Sequence, residues 1–245
     1  MFPKHGPISC RACWPANSFD RVITTSDERF RVVNDPGSWG AENPEVLVLG
    51  ISKGFTQANE FASGDFDAVP FKNCRGRLGL ILSAAGLTDA GASIDRMMSS
   101  HEERFAWGSL VRCSLSGRRS KSDDFGAGTP DVLPAFKHPE AREFLRGCMR
   151  RFLARLPDRT RTVVLLGNAE QYIATVADEL RELYQARYER VNEVAHRTGH
   201  VVWVHVAHPS PGNGHFNSFI NASNESPQGR KRELAKVAVS FGSVP

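Results

Sequence analysis

Three short stretches carry side chains whose types and spacing can do chemistry. Gly50-Ile51-Ser52-Lys53-Gly54 closes the aliphatic run Val46-Leu47-Val48-Leu49 and reads G-x-S-x-G. That spacing sets a serine nucleophile on a sharp strand-to-helix turn in acyl-transfer enzymes. Cys10-Arg11-Ala12-Cys13 is a C-x-x-C pair, a spacing that suits two ligands of a metal centre or a redox couple. A redox pair of the thioredoxin type follows a strand and opens a helix, whereas Cys13 runs into Trp14-Pro15. His208-Pro209-Ser210-Pro211 follows a second aliphatic run. It puts at a strand end the one side chain whose ordinary charge change falls near neutral pH.

Elements must bring these stretches together. Residues 45–51, 104–112, 161–167 and 200–207 are short aliphatic runs and predict four buried strands. Residues 75–86, 139–156, 169–188 and 227–241 have helical spacing, such as Phe144, Cys148, Phe152 and Leu156, and predict the intervening helices. Aliphatic strands alternating with helices predict an α/β fold. The expectation is a three-layer α/β/α sandwich around a central, mostly parallel four-stranded sheet. Ligands bind such sheets outside the carboxyl ends of the strands. Gly50–Gly54, Ser109–Cys113, Gly167-Asn168 and His208–Pro211 then share one edge. Residues 14–44 are expected to wrap the sheet. Residues 114–138, rich in Ser, Gly, Pro and charge, are expected as an irregular insertion. Arg118, Arg119 and Lys121 make it basic, which reads equally as a solvated surface or as a nucleic-acid contact.

The 245 residues, 40% of them hydrophobic, suffice for one core and predict one domain, 1–245. No apolar run reaches the length of a membrane helix. The first residues, Met1-Phe2-Pro3-Lys4, lack the apolar stretch of a secretory signal, so a cytoplasmic protein is expected, with no membrane partner. The formal net charge of +4 permits a polyanionic partner without requiring one. Five cysteines, an odd number, argue against a disulfide framework.

The serine-hydrolase reading of Ser52 meets two obstacles. Only 49 residues precede Gly50, without an earlier strand–helix alternation to supply an oxyanion loop. No acidic residue stands at a strand end between Ser52 and His208 to complete a triad.

Taken in order, Gly50–Gly54, Val69-Pro70-Phe71, Val111-Arg112-Cys113 and His208-Pro209-Ser210-Pro211 resemble the motifs of the uracil-DNA glycosylase superfamily. The resemblance spans nearly the whole chain, and H-P-S-P is its most specific element. It implies an enzyme that flips a base out of DNA and hydrolyses its N-glycosidic bond to leave an abasic site. Phe71 would stack on the base, and His208 would donate to the base carbonyl or support the leaving anion. Lys53, Ser210 and Asn213 would contact DNA, as would Arg118, Arg119 and Lys121. Phe216, in the following loop, would act as a wedge in single- or double-stranded DNA. The iron–sulfur-containing branch of that superfamily implies further that Cys10, Cys13, Cys113 and Cys148 hold a 4Fe-4S cluster. Zinc is the alternative for four thiolates. The 34 residues between Cys113 and Cys148 exceed the usual gap of that branch. A monomer is expected.

Two positions depart from the superfamily. Ile51 and Ser52 stand where an Asn or acid orients the attacking water, leaving Ser52, Glu60, Asp65 or Asp67 for that task, with Asp67 preferred. Ser109, preceded by Gly108, replaces the Asn that reads uracil. A small pair predicts an opened pocket and weakened uracil selectivity. Base contacts are then expected from Ile51, Phe71, Asn73 and Ser109, and the substrate is either uracil or a bulky modified cytosine such as occurs in viral DNA. The alternative is a DNA-binding member of the superfamily without catalysis.

Overall fold

The computed structural model describes residues 2–119, 122 and 124–242. In chain order the strands begin with β1 Gly6–Pro7, β2 Val22–Thr24, β3 Phe30–Val33, β4 Gly37–Gly40 and β5 Val46–Gly50. Helices α1 Phe55–Ser63, α2 Arg75–Ala84 and α3 Ile94–Met97 follow, then β6 Phe105–Ser109, β7 Ser114–Arg118 and β8 Phe125–Gly126. The remainder is α4 Thr129–Val132, α5 Pro139–Phe152, β9 Thr162–Leu166, α6 Glu170–Tyr184, β10 Tyr188–Arg190, β11 Ala195–Thr198, β12 Val201–Val206, α7 Phe216–Asn221 and α8 Pro227–Gly242.

The four aliphatic runs form the expected strands. β6, β5, β9 and β12 pair in parallel in that order, and every residue in them is buried. Burial on both faces is why they read as continuous apolar runs rather than alternating ones. Side chains alternate across the sheet. Leu47 and Leu49 pack with Ala141 and Leu145 of α5 and Val176 and Leu180 of α6. Val46 and Val48 face the other way, onto Leu78 and Leu82 of α2, Phe219 of α7 and Ala235 of α8. Helices therefore cover both faces of a mixed α/β sheet.

The sheet has eight strands, not four. β4 and β1 extend the β6 edge and β11 and β10 extend the β12 edge, all antiparallel. Gly37-Ser38-Trp39-Gly40 and Ala195-His196-Arg197-Thr198 carry no aliphatic run, so they gave no strand signal. A separate antiparallel sheet, β2-β3-β7-β8, corrects the expectation of an irregular insertion at 114–138. Residues 114–118 pair with β3, because Phe30, Val32 and Leu115 are buried in the same core as Leu47 and Leu49. Val132, Leu133 and Phe136 join that core from the turns that follow. Only four residues separate β7 from the end of β6, so β7 leads this sheet away from the carboxyl edge of the parallel strands. Among the described residues no helix is long and apolar enough to cross a membrane.

Candidate functional site

His208 stands two residues past β12, at the carboxyl edge. The Ser210 backbone amide donates to its Nδ1 at 3.1 Å, which leaves the ring proton on Nε2. Burial pushes the imidazole down to about 4, so it is neutral at pH 7. Asn213 Nδ2 donates to the His208 carbonyl at 2.7 Å, and the Gly212 amide donates to Ser210 Oγ at 3.3 Å. The loop thus holds one tautomer with its donor free.

Arg77 joins this loop to the Phe71 stretch. It donates from Nε to the Pro209 carbonyl at 2.8 Å and from Nη2 to the Ser210 carbonyl at 3.1 Å. Arg77 lies on the first turn of α2, which starts directly after the Phe71 turn. That turn is strained: Phe71 has φ +53° and Asn73 φ +65°, the left-handed region that side chains avoid. It is held by the Cys74 amide on the Phe71 carbonyl at 3.0 Å and by Arg75 Nε on the Pro70 carbonyl at 2.9 Å. Left-handed aromatic and amide residues persist where surrounding structure over-determines them, often at ligand sites. Phe71 is buried and meets Trp107 edge-on at 5.9 Å. Beside the turn lies an open concavity of about 540 Å³ lined by Ala68 and residues 72–77, Asn73 and Arg77 among them. Lys72 on its wall is ion-paired to Glu60 of α1.

The Gly50–Gly54 loop is built differently from its sequence reading. Ile51 is core. Ser52 Oγ donates to the Leu115 carbonyl at 3.4 Å and has no histidine partner, so it is not arranged as a nucleophile. Lys53 is no phosphate ligand. It is 3% exposed, ion-paired to Asp35 Oδ1 at 3.2 Å and bonded to the Arg112 carbonyl at 2.5 Å. Asp35 accepts also from the Ser114 amide and hydroxyl, at 2.7 and 2.6 Å.

Other expected contacts are likewise taken up by structure. Phe216 is not a wedge: it is buried at the start of α7 under the Arg77 guanidinium, 3.6 Å from the ring centre. Asn213 spends its amide within its own loop. Ser109 is buried, and its hydroxyl donates to the Val111 carbonyl at 2.7 Å. The space beside Gly108 is not open pocket. A Cβ there would lie 1.9 Å from Arg112 Nη1, so the missing side chain makes room for a guanidinium rather than a base. Arg118 pairs with Glu28 at 3.1 Å and Arg119 with Asp131 at 3.6 Å. Lys121 lies outside the described residues. Asp67 is exposed and bonded to His5 Nε2 at 2.8 Å, so it is anchored to β1's neighbour rather than turned to His208.

Cys113 and Cys148 are buried in one core cluster, and Cys13 packs against it. The Cys13 thiol interacts chiefly with Cys148, and electrostatically with Cys113 and Cys10. The interaction with Cys148, together with burial, raises Cys13, and the same interaction lowers Cys148, helped by the Arg112 backbone amide and charge. Burial pushes Cys113 up to about 12. Cys74 stands apart, its thiol donating to the Phe71 carbonyl at 3.2 Å. No group of three or more His, Cys, Asp or Glu side chains among the described residues stands in metal-holding geometry.

Arg77, Asp35 and Arg112 are the residues that sequence reasoning missed. Arg112 alone had a signal, since Gly108 four residues earlier on the same strand end is what gives its side chain room. No protein-family model matches the chain, and no curated protein matches it.

Proposed function

We propose that the chain is a DNA glycosylase that extrudes a modified or damaged pyrimidine and hydrolyses its N-glycosidic bond. It would do so on a three-layer fold resembling the iron–sulfur branch of the uracil-DNA glycosylase superfamily. The observation that carries this reading is His208: a neutral imidazole at the carboxyl edge, its Nε2–H free, tied through Arg77 to a strained aromatic turn.

A base inside a duplex is out of reach, so it enters the site flipped. Phe71 stacks on it, and the Asn73 amide in the adjoining concavity reads its edge. As the bond from C1′ to the base nitrogen breaks, the electron pair leaves with the base. The His208 Nε2–H donates to the base carbonyl, where that negative charge gathers. A neutral donor suits this task, because it stabilises the anion without first having to bind a proton. Water adds to C1′, and its proton passes through solvent to the departed base anion, leaving the neutral base and an abasic sugar. Glu60, ion-paired to Lys72 on the wall of the concavity, would orient that water, with Asp67 as the alternative. Cys10, Cys13, Cys113 and Cys148 would hold a 4Fe-4S cluster, with zinc as the alternative. The group would tie the N-terminal segment, the end of β6 and α5 together. The partner is DNA, and the protein works as a monomer in the cytoplasm.

The experiment is a panel of duplexes and single strands carrying uracil, hydroxymethylated cytosine or glucosylated cytosine, scored for alkali-labile abasic sites. A site on one class identifies the base; none on any substrate overturns the reading. A second reading, a DNA-binding member without catalysis, is favoured by one observation: Ile51 and Ser52 face core and backbone, leaving no acid in the Gly50–Gly54 loop. It predicts DNA binding that His208→Ala leaves intact, with no base released by either protein.

A further inference from the structure

A second concavity, of about 410 Å³, lies where α6, the edge strands β10 and β11 and the start of α8 meet. None of its lining residues belongs to the His208–Phe71 site. One wall is apolar: Ile173, Ala174 and Ala177 share a face of α6. The opposite wall is a polar cluster set by strand register. Tyr188 and Arg190 stand two apart on β10, so they point to one face, and Arg190 lies directly opposite His196 of β11. The Tyr188 ring stacks on His196 with centres 5.6 Å apart, and its hydroxyl is hydrogen-bonded to His196 Nδ1 at 3.0 Å. The Arg181 guanidinium lies 4.9 Å from the centre of the Tyr188 ring.

His196 is only 1% exposed, yet its Nε2 has no hydrogen-bond partner. A buried polar atom left in this way calls for an explanation, and a ligand is one. Burial, then the charges of Arg190 and Arg181, push the imidazole down to about 4, so it is neutral at pH 7. The charges around it are unbalanced. Of the acids on the lining, Asp178 is spent on Arg181 at 2.7 Å and Glu193 on Arg230 at 2.6 Å. Glu170 opens α6, about 16 Å along the helix from Arg181. Among the described residues Arg190 and Lys231 have no ion pair. Each bonds a backbone carbonyl instead, that of Asn192 at 3.3 Å and that of Asn168 at 3.0 Å.

We propose that this cavity binds a small organic oxyanion, its apolar body against Ile173, Ala174 and Ala177 and its carboxylate, phosphate or sulfonate head at Arg190, Tyr188 and His196. The size suits such a molecule, and apolar walls with a few convergent polar groups are the usual make-up of a small-molecule site. The Tyr188 hydroxyl donates to His196 Nδ1, the ring proton stays on Nε2, and that N–H donates to the head. Arg190 supplies the charge, which no carboxylate of the protein cancels. The site is independent of the base-removal reading, which stands or falls on His208.

The test uses the full chain and two fluorescent probes of one shape, anilinonaphthalene sulfonate and the uncharged phenylnaphthylamine. Wild type should bind one equivalent of the sulfonate, about tenfold more tightly than the amine. Arg190→Gln should weaken the sulfonate about tenfold and leave the amine within about twofold. Arg197→Gln removes the same charge from the opposite face of β11, where Arg197 pairs with Glu189, and should leave both affinities unchanged. Ala174→Leu fills the apolar wall from an exposed helix position that accepts leucine, and should weaken both probes about tenfold. The ring-nitrogen resonances of His196 should shift as the sulfonate is added, while those of His208 should not. If Arg190→Gln does not fold, Ala174→Leu and the His196 resonances carry the test. No saturable binding, equal affinity for sulfonate and amine, or equal affinities of Arg190→Gln and Arg197→Gln for the sulfonate overturns the proposal. So does a DNA duplex that displaces the sulfonate and itself binds Arg190→Gln more weakly, because the cavity would then belong to the nucleic-acid face.

Discussion

Lys53→Met should be one of the most damaging single changes to this chain, and its damage should be to stability. Lys53 and Asp35 are each 3% exposed in their side chains and 3.2 Å apart. At that separation, with an effective dielectric constant of about 20, their attraction is about 5 kcal/mol before desolvation is subtracted. Removing one member leaves the other buried and uncompensated, at a cost of about 3–5 kcal/mol. Asp35 keeps its two bonds from Ser114, so the lower end of that range is expected. Urea unfolding of wild type, Lys53→Met, Asp35→Asn and the double variant gives the magnitude and the coupling. The double variant should lose less than the sum of the singles by at least about 1 kcal/mol. Salt-dependent DNA binding of folded Lys53→Met should keep the wild-type slope, since a phosphate contact would lower it by about one. A stability loss under about 1 kcal/mol together with a reduced slope would refute the structural role and restore Lys53 as a phosphate ligand.

Asn73→Gly separates backbone strain from recognition: glycine accepts φ +65° freely, so stability should hold or rise by about 1 kcal/mol while the affinity of the extruded base falls. Calorimetry and single-turnover base release measure the two. Phe216→Ala should destabilise by about 3–5 kcal/mol in urea, because the ring is core under Arg77, and a variant of wild-type stability with impaired flipping would return it to the role of wedge. His196, His205 and His208 are held by burial at about 4, 3 and 4, below the usual value near 6.5. The unfolded chain therefore binds more protons in acid. Stability should be fully present above about pH 6.5, fall as pH drops toward 4, and level off below about 3. Base release limited by chemistry should show no inflection from His208 between about pH 5.5 and 8.

The parallel strands were legible because each is buried on both faces, which demands an unbroken aliphatic run such as Thr162-Val163-Val164-Leu165-Leu166. The edge strands were not. β11 buries His196 beside exposed Arg197, and its pairing with β12 depends on a partner that local pattern does not reveal. At the site, the place of His208 at the carboxyl edge was legible from Pro-Ser-Pro after a strand. Lys53 misled because a lysine in a glycine-flanked loop reads as solvent-facing. Its partner, Asp35, lies 18 positions earlier in a segment without regular pattern. Gly108-Ser109 misled for a similar reason: a missing side chain tells of space, not of what fills it, and Arg112 fills it.

In the proposed reaction neutral His208 drives base removal at the carboxyl edge. Single-turnover base release on the susceptible oligonucleotide, compared between wild type and His208→Ala, tests it most directly. The account predicts abasic sites from wild type, a loss of about 10²–10³-fold in His208→Ala, and unchanged DNA affinity. Equal rates from the two proteins, or release by neither, would contradict it.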